Sequence, residues 1–402
     1  NEDPLELVPA RAVEQAEAIV GSADGSAVLR ALGGVLAAGG SVEIRLGNHD
    51  AELALTAVQE TFRAGLGQPP EVAAKLVFTR GAAPGLLDIN GVKILLAHGE
   101  HNDPWNFVEY NELAADGSGR FKYPPGSRLV KTLLNPLKRR FGMRFADLLK
   151  PDFQGGVLTV LAVDPNALSL VFQGSTMRLL WQLFRRMDDP LSFAPAEAEE
   201  DLGLAASLDA AGLTPDERAA IEGTVDPDAA VSFGPVGDFL GAAQVKLARQ
   251  GLRAYAAAQR HLAEGTGDSY FSLEPDPAEW TEAQRLATKF GADAVVLGHT
   301  HAARFRSEPG LTFVNTGTWI YLMRLPAGDA SVDEWETFLR QCRSNPGLDP
   351  AKGPCPPLIS RPTGLVIDAD PSGGVQMRLI EYTAQGPKVL AEGHVVGGSP
   401  AV

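Results

Sequence analysis

The chain has 402 residues, 45% of them hydrophobic and 21% charged, which fits a globular protein with room for one large domain or two ordinary ones. A formal net charge of −15 argues against a general nucleic-acid binder, because counterion release needs a surplus of Lys and Arg. Two cysteines, Cys342 and Cys355, exclude a disulfide framework and read as free thiols in a reducing compartment. No run of about 18 apolar residues is present, and "NEDPLELVPA" lacks a signal-peptide core, so a cytoplasmic location is expected.

Residues 9–38 carry helix-favouring Ala, Leu, Glu and Gln, interrupted around "GSADGS". "SVEIRL" alternates as a strand, with Val42, Ile44 and Leu46 against Glu43 and Arg45. After "GNHD", "AELALTAVQETFRAGL" predicts a helix with Leu53, Leu55, Val58 and Phe62 on one face. "AKLVFTR", "GLLDIN" and "VKILLAHG" follow as short strands separated by Gly and Pro. Residues 102–290 read as long and mainly helical, including "MRLLWQLFRRM" and "DFLGAAQVKLARQGLRAYAAAQRHLAEG". "EWTEAQRLATKFG" predicts a helix leading into the strand "AVVL", and "LTFVNTGTW", "TGLVIDAD" and "VQMRLIEYT" predict strands that finish a sheet. The expected class is α/β, with a large helical insertion between two sheet-forming parts.

Three segments repeat one design: an apolar strand, a glycine, then polar residues of metal-ligand type. They are "IRLGNHD" with Asn48, His49 and Asp50, "LLAHGEHND" with His98, His101 and Asp103, and "VVLGHTH" with His299 and His301. Five of the seven histidines fall in these segments, which is why they read as one metal site rather than as scattered surface or core histidines. His261 and His394 take that blander reading. Residues just past strand ends gather at one edge of an α/β sheet. Imidazole nitrogen with amide or carboxylate oxygen suits Zn, Mn or Fe better than Ca or Mg. If "HTH" stays extended, His299 and His301 project to one side.

In this order, "GNHD", a His-Gly after an apolar strand, "GHTH" and then "NTGTW" resemble the later motifs of the calcineurin-like metallophosphoesterases. The likeness covers about residues 40–100 and 280–325. It implies a four-layered α/β/β/α sandwich and hydrolysis of a phosphate ester or pyrophosphate by a metal-activated water. It implies two divalent ions (Mn, Fe or Zn), with Asn48, His98 and His299 on one and His301 on the other. By the same resemblance His49 contacts the phosphate and assists the leaving oxygen, and Asp50 orients its imidazole. The family's earlier motifs, Asp-x-His and Gly-Asp-x-x-Asp, do not precede Asn48. The expectation is therefore a chain lacking its first strands, holding one metal or none. The chain then divides into 1–101, the first part of the phosphoesterase domain, 102–277, a helical insertion or cap, and 278–402, the rest of that domain. "VIDADPSGG" raises a circular permutation, for which a solvent-facing turn is an equal explanation. A non-catalytic binding or scaffolding relative is the alternative. A mononuclear amidohydrolase fits less well, because this His-x-His comes late.

Residues 127–145, "SRLVKTLLNPLKRRFGMRF", hold six basic residues and no acidic one. With "MRLLWQLFRRM" they read either as amphipathic helices packed on the domain or as a cap meeting a phosphorylated small-molecule or lipid-linked substrate. In the second reading they also make peripheral contact with an anionic membrane. "HGEHNDPWN" offers His101, Asp103 and Asn106 near the site, as supports for the ligands or substrate contacts, with ordinary loop polarity an equal explanation.

Overall fold

The structure is a computed structural model describing residues 7–79, 84–103, 106–108, 117, 121, 123–150, 159–160, 162–164, 271–326, 330–356 and 358–398. The segments "MRLLWQLFRRM" and "DFLGAAQVKLARQGLRAYAAAQRHLAEG", and with them His261, lie outside the described residues. The class is α/β. Among the described residues no single helix is long and apolar enough to cross a membrane. Both cysteines are free thiols.

The first unit begins with helices α1 (Pro9–Gly21) and α2 (Ala23–Ala37). Ser22 separates them: its backbone is extended and its hydroxyl accepts from Gly25 N–H, a serine N-cap for α2. Strand β1 (Val42–Arg45) leads to a 3-10 turn (Ala51–Ala54), helices α3 (Thr56–Gly65) and α4 (Pro70–Ala73), and strand β2 (Leu76–Thr79), which lies parallel to β1. The helix expected from residue 51 thus starts at Thr56. Leu55 takes an extended backbone that sends its side chain into a core with Leu46, Val58, Ala12 and Ala16. Ala12 and Ala16, four residues apart, give α1 a small-residue face on that core.

The main sheet has five strands in the order β3-β4-β6-β8-β7, from β3 (Gly85–Ile89), β4 (Val92–Leu96), β6 (Ala294–Leu297), β7 (Ala303–Glu308) and β8 (Leu311–Thr316). Strands β4, β6 and β8 run parallel and the two edge strands antiparallel. Asn90 and Gly91, both at positive φ, make the two-residue turn between β3 and β4. Along β6 the side chains bury on both faces, as a central parallel strand must. Val295 packs with Leu95, Phe313 and helix α7 (Pro277–Phe290) on one face. Ala294 and Val296 pack on the other, against the antiparallel strands β11 (Thr363–Ala369), β12 (Val375–Thr383) and β13 (Gly386–Val395).

The chain from residue 123 onward is tied into this body rather than set apart. Helix α5 (Pro125–Leu129) passes through a π turn (Val130–Leu134) into α6 (Asn135–Phe141). Pro136, which has no N–H to give the preceding turn, accompanies that widening. Leu129, Leu133, Leu137 and Phe145 share a core with Met323 of β9 (Leu322–Arg324) and with Trp335, Phe338 and Leu339 of α8 (Val332–Ser344). A small sheet, β10-β9-β5, joins β5 (Leu149–Lys150) and β10 (Leu358–Ile359) to β9. The first part of the expected insertion therefore shares its apolar interior with residues 322–342.

Candidate metal centre

Parallel β4, β6 and β8 end at the same edge, and the residues just past those ends meet there. Gly298 N–H donates to the His98 carbonyl at 3.0 Å and Ala97 N–H to that of Val296 at 3.1 Å, so the ladder continues past the strands and sets His98 beside His299. Their rings meet edge to face at 5.3 Å. From β1 comes the turn that carries Asn48, which is 3% exposed. Its Oδ1 lies 3.0 Å from His98 Nε2 and 3.2 Å from His299 Nδ1. Two glycines make the approach possible. A Cβ at Gly47 would stand 2.7 Å from His98 Cε1, and one at Gly99, whose φ is +114°, would stand 3.2 Å from His299 Cβ.

"HTH" is not extended. His299 and His301 both have left-handed backbones, φ +66° and +61°, each costing a non-glycine residue about 1–2 kcal/mol. Asn315, 1% exposed at the end of β8, lies under this turn, its amide donating to the Gly298 carbonyl at 2.7 Å and to Thr300 Oγ1 at 3.0 Å. The buried Glu279–Arg304 pair, 2.7 Å between Oε2 and Nε, lies close by, with Thr300 Oγ1 3.4 Å from Glu279 Oε1. The turn sends the two histidines to different surroundings. His299 joins Asn48 and His98, while His301 lines a small pocket with Phe271, Thr318, Arg361 and Thr363.

Asp103 and Asn106 reach the cluster. Asp103 Oδ2 lies 3.0 Å from His299 Nε2 and accepts from Asn106 Nδ2 at 2.6 Å. Asn48 Nδ2 donates to Asn106 Oδ1 at 3.0 Å. His101 instead faces helix α7, with Nε2 3.1 Å from Glu282 Oε1. His49 is exposed at the rim, and its Nδ1 lies 3.2 Å from Ser127 Oγ, which donates to the Asn48 carbonyl at 3.0 Å. Ser127, a partner of this ring, was not among the expected residues. Its hydroxyl comes from α5, 79 residues beyond Asn48, and nothing in the sequence marks it. The aspartates of "VIDADPSGG" lie elsewhere. Asn90 Nδ2 donates to the Asp370 carbonyl, which puts that turn at the start of β4, the opposite end from His98.

Burial dominates the electrostatics. It pushes His98 down to about 4, helped by the neighbouring charges of His299 and His49. Glu100, 2% exposed, is raised by burial, and its Oε1 has no partner among the described residues. The Asp50 carboxyl is also raised by burial and by neighbouring Glu52, with a backbone hydrogen bond to Gly47 working the other way.

The donor set fits a divalent transition metal. Ligands about 2.1 Å from one ion and at right angles stand about 3.0 Å apart, close to the spacing of Asn48 Oδ1 from the two ring nitrogens. Among the described residues no three His, Cys, Asp or Glu side chains form a group that could hold a metal ion. No protein-family model matches the chain, and neither a curated protein nor a solved structure matches it.

Proposed function

We propose that the chain is a metal-dependent phosphoesterase, hydrolysing a phosphate ester or pyrophosphate of a small or lipid-linked substrate. The observation that carries the reading is the convergence of Asn48 Oδ1, His98 Nε2 and His299 Nδ1 at the sheet edge. In this reading the fold belongs to the four-layered α/β/β/α type, supported by helix α7, the five-stranded sheet and the β11–β13 sheet packed in that order. Asn48, His98 and His299 hold one Zn, Mn or Fe ion, while His301 lines a separate pocket. When bound, such ions lower the pKa of water to about 7 and draw charge from phosphoryl oxygens.

The chain's own residues supply the rest. The Asp103 carboxylate holds the His299 ring, the usual support for a metal-binding imidazole. Ser127 ties the Asn48 backbone to His49, so the group at the rim and the ligand behind it move together. In this reading His49, exposed to solvent, meets the substrate and gives a proton to its leaving oxygen.

Reconstitution with Mn, Zn or Fe, elemental analysis and hydrolysis of bis(p-nitrophenyl) phosphate test this together. Bound metal and turnover are expected, both lost in His299→Ala. His49→Ala keeps the metal and lowers kcat about 100-fold or more. Metal without turnover on mono- and diester substrates would favour a non-catalytic binding protein; no bound metal would sink the reading.

A further inference from the structure

We infer that Asp103, acting directly on His299 and through Asn106 on Asn48, sets the polarity of the cluster so that two lone-pair donors face one point; this rests on the proposed metal site. An ionised carboxylate only accepts. Asp103 Oδ2 therefore receives the Asn106 NH2 at 2.6 Å, which turns the Asn106 carbonyl the other way. That carbonyl only accepts, so at 3.0 Å it receives the Asn48 NH2. The Asn48 oxygen is left facing His98 and His299, where an NH2 group would offer an ion no lone pair. The same Asp103 oxygen lies 3.0 Å from His299 Nε2, and a carboxylate is a stronger acceptor than the Asn48 amide oxygen 3.2 Å from Nδ1, so a ring with one proton carries it on Nε2 and turns the Nδ1 lone pair toward Asn48. One carboxylate thus orders an amide and an imidazole that come from different strand ends.

Asp103 and Asn106 are positioning residues in this scheme, and the test reads position apart from activity. In metal-free protein labelled with 15N in its histidine rings, the nitrogen resonances report the His299 tautomer, assigned with His299→Gln. Binding of Zn2+, by competition with a chromophoric chelator, reports the assembled set. Wild type is expected to hold the Nε2–H tautomer. Asp103→Asn disturbs that tautomer and weakens Zn2+ binding about 10- to 100-fold. Asn106→Ala keeps the tautomer but weakens Zn2+ binding, because only the amide arm is cut. An unchanged tautomer in Asp103→Asn, or wild-type affinity in Asn106→Ala, would overturn the relay. If wild type takes up no Zn2+, the metal reading fails, and the relay as an organiser of metal ligands fails with it. The tautomer comparison then still separates the two failures, showing whether Asp103 orders His299 in the metal-free chain. Urea titration of each variant identifies any that does not fold; should Asp103→Asn be lost that way, Asn106→Ala decides.

Discussion

A half-buried imidazole is expected to make the stability of this protein depend on acid. His98 is held down to about 4 because burial, and then the charges of His299 and His49, penalise its charged form. A depressed histidine contributes stability that is present above its ordinary value of 6.5 and lost as pH falls toward its folded value. Every tenfold loss of proton affinity on folding is worth about 1.4 kcal/mol, so His98 accounts for about 3 kcal/mol between pH 7 and pH 4. The expected result is a urea midpoint for metal-free protein that drops over this window, and drops less in His98→Gln. Parallel curves for the two proteins would show that the imidazole is not the group being titrated. Glu100 acts with the opposite sign: its carboxyl is raised, so its contribution is present below 4.5 and is lost as pH rises through the folded value.

Among the elements, helix α2 offers a comparison between neighbouring glycines. Gly33 faces the core, and a Cβ there would lie 2.5 Å from the Leu66 carbonyl oxygen, a backbone atom that cannot step aside. Gly34 is exposed with nothing within 4 Å of the same position. Alanine improves a helix interior by about 0.5–1 kcal/mol over glycine. Gly34→Ala is therefore expected to raise the unfolding free energy from urea titration by that amount, whereas Gly33→Ala lowers it by about 1–3 kcal/mol through overpacking. Equal effects at both positions would contradict the packing of α2 on the 66–68 segment.

Elements also mark where the sequence is readable. Strand β6 falls on the expected Ala294–Leu297, and β12 on the expected "VQMRLIEYT", because each is a run of residues with strand propensity between turns. Strand β13 is not among the expected elements. Its burial pattern is mostly exposed or half-buried, so periodicity says little, and its place follows from pairing with β12. Helix α8 is not among them either, although Ser331 and Glu334 form a capping box ahead of buried Trp335, Phe338, Leu339 and Cys342.

On the scale of the molecule, the cluster joins the β1 turn, the β4 loop and the β6 loop, which are 50 and 251 residues apart along the chain from Asn48. An ion bound only when these segments are assembled stabilises the folded state by mass action, about 2.7 kcal/mol at a hundredfold excess over Kd. Zn2+ or Mn2+ is therefore expected to raise the thermal midpoint by several degrees, and to have no effect on His299→Ala. A metal that leaves the wild-type midpoint unmoved at saturating concentration would mean that the three loops do not form a site.

The local pattern of the sequence was enough to put Asn48, His98 and His299 just past strand ends, since apolar runs and glycine stops are short-range features. Which ring nitrogen of His299 faces Asn48, why His301 turns to another pocket, and that Ser127 stands at His49 were settled by tertiary structure. Those features depend on left-handed backbone held by a buried Asn315 and on hydrogen bonds between distant residues. No periodicity carries such information, because a side chain's partner is chosen by the packing of elements and not by its neighbours in the chain.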